Sequence, residues 1–159
     1  MYRIEGVDVE NVPWRSATEV DDLRPIDIGI MPLPDDPWSH GKCAAKALQF
    51  MALSTPVVCS PVGVNSTIIQ HTQNGFLASS EEDWVRILRM LLHDSRLRAG
   101  VGRAGRATVE AQYCASVQAP RVLQVFLSAS RPTSQNGGCS GYIPVDAPHS
   151  LCSHTVSYC

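Results

Sequence analysis

The chain has 159 residues, 44% of them apolar and 18% charged, which suits a single domain with its own core. Its formal charge of −2 provides no basic field, and this counts against nucleic acid as the main partner. No apolar run approaches the roughly 20 residues of a membrane helix, and no charged-then-apolar opening segment signals export.

Near the start, Val7 and Val9 alternate with Asp8 and Glu10, a pattern that predicts a half-exposed strand. Ser16 or Thr18 then caps a short helix over Glu19, Val20, Asp21, Asp22 and Leu23, which Pro25 closes. Residues 26–31 are the next strand, apolar enough to be buried. Pro32, Pro34 and Pro37 predict an extended loop carrying Asp35, Asp36, Trp38, Ser39 and His40. Asp35 and Asp36 have two readings: turn chemistry, or binding of hydroxyls or a metal. His40 is either solvated or a hydrogen-bond partner for a phosphate.

The stretch 41–64 organises the rest. Ala44, Ala45, Ala47, Leu48 and Met51 are helix formers, and Ser54-Thr55-Pro56 stops the helix they predict. Pro56-Val57-Val58-Cys59 is short, apolar and β-branched, as in a strand buried on both faces. Strand, helix and strand in alternation predict an α/β fold, a parallel sheet with flanking helices. Ligands of such sheets sit at the carboxyl ends of the strands, where the loops 31–41 and 60–65 leave. Lys46 and Gln49 share a helix face, and Lys42 lies four residues before Lys46. Cations near a helix start oppose its dipole unless something negative sits there. A bound phosphate resolves that conflict, and so does simple solvation of both lysines.

Further on, Asn65 or Ser66 caps a short helix through Ile68, Ile69 and Gln70, and Asn74-Gly75 predicts a tight turn before a short strand at 76–78. Ser80 followed by Glu81, Glu82 and Asp83 is a helix start, with Trp84, Ile87, Leu88, Leu91 and Leu92 as its apolar stripe. Another helix begins at Asp94 or Ser95 with Leu97, Val101, Ala104, Thr108 and Val109 inward and the arginines outward. Its Gly100, Gly102 and Gly105 read as small residues at a helix crossing. Val117, Val122, Leu123, Val125 and Phe126 mark a last helix, kinked or started near Pro120. From Ser128 on, the sequence loses periodicity and nearly all charge, and reads as a disordered or non-native tail, 128–159.

The six cysteines form no Cys-x-x-Cys pair, and Cys43 and Cys59 lie in apolar contexts that suggest buried, reduced thiols. Cys139, Cys152, His154 and Cys159 are a conceivable zinc set, but their spacing matches no usual ligand pattern.

Several pieces, in order, resemble a known family: Asp27-Ile28-Gly29-Ile30-Met31-Pro32-Leu33, Lys46-x-x-Gln49-x-Met51-Ala52, Thr55-Pro56-Val57-Val58, Pro61-x-Gly63 and Asn74-Gly75-Phe76-Leu77. From about Trp14 to Phe126 the chain resembles the carboxyl-terminal part of the retaining glycosyltransferases of family 4, also called group 1, built of two Rossmann-like domains in the GT-B arrangement. The resemblance implies a partial Rossmann-like sheet over residues 1–127 that holds the donor, a nucleoside-diphosphate sugar, from which a sugar passes to an acceptor hydroxyl. The family commonly carries two glutamates eight residues apart at the central helix. Gln49 stands in place of the second, which binds ribose, and Gly41 in place of the first, near the donor sugar. Ser54 stands where glycine is usual.

By this resemblance the donor-site candidates are His40, Gly41, Lys42, Lys46, Gln49 and Gly63. Lys42 and Lys46 would face phosphate, and Gln49 the ribose. The Gly63 loop would let backbone approach the donor. No metal and no cofactor other than the donor substrate is implied. The expected setting is cytoplasmic, with the nucleotide sugar and an amino-terminal acceptor domain, absent here, as partners. Peripheral membrane association of a full-length enzyme stays open. The chain alone is expected to transfer no sugar. The alternative is a non-catalytic nucleotide-binding or protein-interaction module derived from that domain.

Overall fold

Helix α1 (Glu19–Leu23) leads into strand β1 (Gly29–Met31), and β2 (Val57–Cys59) and β3 (Phe76–Leu77) complete a sheet of order β1-β2-β3. This is a computed structural model, and it describes residues 3–130. Both strand pairs are parallel, with Gly29 opposite Val57 and Val58 opposite Phe76. Parallel neighbours need crossovers. The first contains α2 (Pro37–His40) and α3 (Ala45–Ala52), and the second contains α4 (Asn65–Ile68). Three longer helices follow: α5 (Glu81–His93), α6 (Ser95–Gln112) and α7 (Ala115–Ala129).

β2 is buried along its whole length because helices cover both faces. Val57 and Cys59 join Ala47, Phe50, Met51 and Val109 on one side. Val58 joins Phe76, Ile87, Leu91 and Val101 on the other. Fully burying side chains of this kind contributes about 1.5–3 kcal/mol each. α3 and α6 cross closely. A Cβ at Gly102 would lie 1.9 Å from the Ser54 carbonyl oxygen, and one at Gly105 would lie 3.1 Å from that of Asn74. Gly100 of the same helix has open space around it, so only two of the three glycines serve the crossing. Asn74 is buried. Its side chain accepts from the Gln70 amide and donates to the Ile68 carbonyl and the Thr108 hydroxyl, which ties the turn before β3 to α6.

The structure departs from the sequence expectations at several points. Residues 7–10 form no strand, since they are exposed or half-exposed and have no neighbouring strand to pair with. The proline-rich loop contains a helical turn, α2, because Asp36 accepts from the Ser39 amide at 2.7 Å as its N-cap, with Pro37 at the first position. Neither Asn65 nor Ser66 caps α4: Val64 holds that position, and the Asn65 amide is turned inward to the Ser60 carbonyl. Leu92 is exposed, whereas the other stripe residues of α5 pack inward. Cys43 is exposed, since it precedes α3 instead of facing the sheet. Cys59 is buried, and burial pushes its thiol up to about 12. α7 starts at Ala115 and carries Pro120 within it, and its apolar residues from Val122 to Leu127 are largely exposed. Among the described residues no helix is long and apolar enough to cross a membrane. The residues of the conceivable zinc set lie outside those described.

Candidate functional site

All three strands are parallel, so their carboxyl ends open on one side. The loops leaving them border a cleft of about 660 Å³ lined by Pro32, Leu33 and Asp35, by Ser60 and Val62, and by Ser80 beside Trp84. The Ser60 hydroxyl accepts from the Leu33 amide at 2.9 Å and pins the first two loops together. The third wall, residues 78–81, escaped the sequence reading. The parallel sense of β3 is the signal that places it there.

None of the six candidate residues lines this cleft. His40 and Gly63 meet through backbone: Gly63 has φ 57°, and a Cβ there would lie 2.9 Å from the His40 carbonyl oxygen. The His40 ring lies 2.6 Å from the Asp35 carboxylate. Gly41 ends α2 with its amide donating to the Trp38 carbonyl. Lys42 is exposed, and its charge reaches Asp36. The Asp36 carboxyl is held below its ordinary range, mainly by the Ser39 amide. Asp35 and Asp36 therefore serve local structure, one toward His40 and one as a helix cap.

Lys46 and Gln49 do share a face of α3, and what they meet there is a carboxylate from α1. The Gln49 amide donates to Glu19 Oε1 at 2.9 Å, and Lys46 Nζ approaches the same oxygen at 3.4 Å. Glu19 also accepts from the Trp14 side chain. The Gln49 bond, ahead of those from Trp14 and Lys46, holds Glu19 below the usual carboxylate range. The sequence raised the question of what answers a cation at the start of α3, and Glu19 supplies one negative group there. Glu19 was not a candidate because it lies 30 residues from Gln49, beyond any helical spacing. Among the described residues, no cluster of three or more His, Cys, Asp or Glu side chains is placed to hold a metal ion.

Residues 41–108 match the family model described as glycosyl transferases group 1. No curated protein sequence matches the chain. Among solved structures, it is similar to the C-terminal domain of a glycosyl transferase group 1 family protein, LpcC, from Francisella tularensis. That match has 24% identity and a TM-score of 0.57, covering 67% of this chain and 53% of that one. Sucrose-phosphate synthase from Thermosynechococcus elongatus is 21% identical with a TM-score of 0.55, over 65% of this chain and 26% of that one. Anabaena HepE, solved in complex with UDP, is 16% identical with a TM-score of 0.54, over 67% and 29%. The chain thus spans about half or less of the structures it resembles. These likenesses show the fold, that of a GT-B glycosyltransferase domain.

Proposed function

We propose, from the match of residues 41–108 to the group 1 glycosyl transferase model, that this chain holds the nucleotide of a nucleoside-diphosphate sugar while the sugar passes to an acceptor hydroxyl. The observation that carries this reading is the pairing of Lys46 and Gln49 on one face of α3, and the contact of the His40 backbone with Gly63 adds to it. In such a transfer, negative charge gathers on the departing diphosphate, and fixed cations and helix amides lower the barrier. Lys42 and the first amides of α3 take that role, with Lys46 adding positive charge. Gln49 hydrogen-bonds the ribose, and His40, Gly41 and Gly63 bring backbone and one imidazole toward the phosphates and the donor sugar. The reading includes retention at the transferred hexose, no metal, a cytoplasmic setting and an amino-terminal acceptor domain as partner. The chain by itself transfers no sugar.

UDP is the first nucleotide to test, because HepE was solved with it. Thermal unfolding of the chain is scanned with UDP, GDP and ADP. A nucleotide that binds only the folded state adds about 2.7 kcal/mol at a hundredfold excess over its dissociation constant. A raised midpoint with one of the three supports the donor site. An unchanged midpoint with all three refutes it. Gly41 and Gln49, at the positions of the two family carboxylates, favour a second reading: a nucleotide-binding or protein-interaction module without chemistry. Sugar transfer by a preparation containing this chain and an acceptor domain, lost in Gln49→Ala, would exclude it.

A further inference from the structure

Three hydrogen-bond donors from two separate parts of the chain converge on one side chain. Trp14 comes from the segment before α1, and Lys46 and Gln49 come from α3, and all three point at Glu19. An ordinary surface carboxylate forms one ion pair of little consequence. Here the neutral amide of Gln49 lies closer, at 2.9 Å, than the lysine at 3.4 Å. A carboxylate offers about four acceptor directions, so these three donors leave capacity for another. The Glu19 side chain is 25% exposed, so solvent and ligands still reach it. Trp14 is 70% exposed while its indole N–H is tied to Glu19, which presents an aromatic face beside the carboxylate.

We propose that Glu19 is the ribose-selecting carboxylate of this site, accepting one of the vicinal hydroxyls of a nucleoside while it holds Gln49 and Lys46, with the face of Trp14 against the base. The inference rests on the donor reading above and goes further, naming a residue and a segment outside the matched stretch 41–108. The chemistry separates the two ends of a nucleoside diphosphate. A carboxylate repels phosphate and accepts an O–H donor of a diol. A base stacks on an exposed aromatic ring whatever its identity. The cation of Lys46 is already drawn toward Glu19, so the phosphates go to the side of Lys42.

The test is isothermal titration of the full chain with UDP and with 2′,3′-dideoxyuridine 5′-diphosphate, comparing wild type, Glu19→Gln and the remote control Glu110→Gln. The expected result is a preference of wild type for UDP by about tenfold or more, the worth of a charge-assisted hydrogen bond. In Glu19→Gln the two nucleotides bind within about twofold of each other, since UDP weakens and the dideoxy compound does not. Glu110→Gln behaves as wild type. Equal weakening of both nucleotides in Glu19→Gln, or an intact preference for UDP, overturns the role given to Glu19 and leaves the donor reading standing. Binding of neither nucleotide by wild type overturns both. Glu19→Asp, which keeps the charge, retains a preference for UDP, and its loss of that preference while still binding both nucleotides would also count against the proposal.

Discussion

Gly102 lies against the carbonyl of Ser54 so closely that a single added carbon would stand 1.9 Å from the oxygen. Helix α6 can approach the turn between α3 and β2 only because that carbon is missing. Gly102→Ala is expected to cost more than about 3 kcal/mol or to prevent folding, because the obstacle is backbone and cannot swing aside. Gly100→Ala, with nothing nearby, is expected to be neutral or to add about 0.5–1 kcal/mol from helix propensity. Urea unfolding of the two variants provides the comparison, and equal midpoints would contradict it.

Ser54 itself has φ 61°, a left-handed conformation that a side chain resists. Ser54→Gly removes about 1 kcal/mol of that strain and raises the unfolding midpoint, while Ser54→Val lowers it. Differential scanning calorimetry would show both shifts. A lower midpoint for the glycine variant would mean that the hydroxyl contributes more than the strain costs.

Asn74 binds three partners from within the core, so Asn74→Ala leaves the Gln70 amide and the Ile68 carbonyl without their side-chain partner. The expected loss is about 2–3 kcal/mol by denaturant unfolding. A loss under half of that would mean water replaces the amide.

Glu19, Asp36 and Asp83 are each held below their ordinary values, chiefly by Gln49, by the Ser39 amide and by Arg86 respectively. The unfolded chain therefore binds more protons in mild acid than the folded one. Their contribution to stability is complete above about pH 4.5 and is lost as pH falls through the lowered folded-state values. Urea midpoints from pH 7 to pH 3 should fall below about pH 4.5, and Glu19→Gln should fall less steeply than wild type.

Site-resolved alkylation of the native chain is expected to label Cys114 well before Cys59. Hydrogen bonds, first from Ser116, hold the Cys114 thiol low, whereas Cys59 is buried. Comparable rates at both sites would mean that the sheet opens on the labelling timescale.

The central unit was legible because its signals are local. Helix formers, the Pro56 stop and the β-branched run predict α3 and β2, and Ser80 with its following acids predicts α5. The two sheet-end loops of the cleft were legible for the same reason. Its third wall needed the sense of β3, which pairing decides. The strand expected at residues 7–10 failed because alternation alone cannot supply a partner strand. Cys43 and Leu92 were misplaced because local apolarity does not tell which side of a helix turn meets the sheet. The Glu19 contact joins α1 to α3 across a strand and a crossover, so no spacing rule within one element reveals it.

The ladders of the sheet have a consequence in time. Gly29 waits for Val57 and Val58 waits for Phe76, so no two strands are joined by a hairpin and each pairing must close a whole crossover first. Local helices such as α5 and α6 form their own hydrogen bonds early, whereas the sheet forms only when β2 is brought between its neighbours. The order of assembly thus turns on one three-residue strand, and a slow refolding phase would be sensitive to changes at Val57 and Val58 before changes elsewhere.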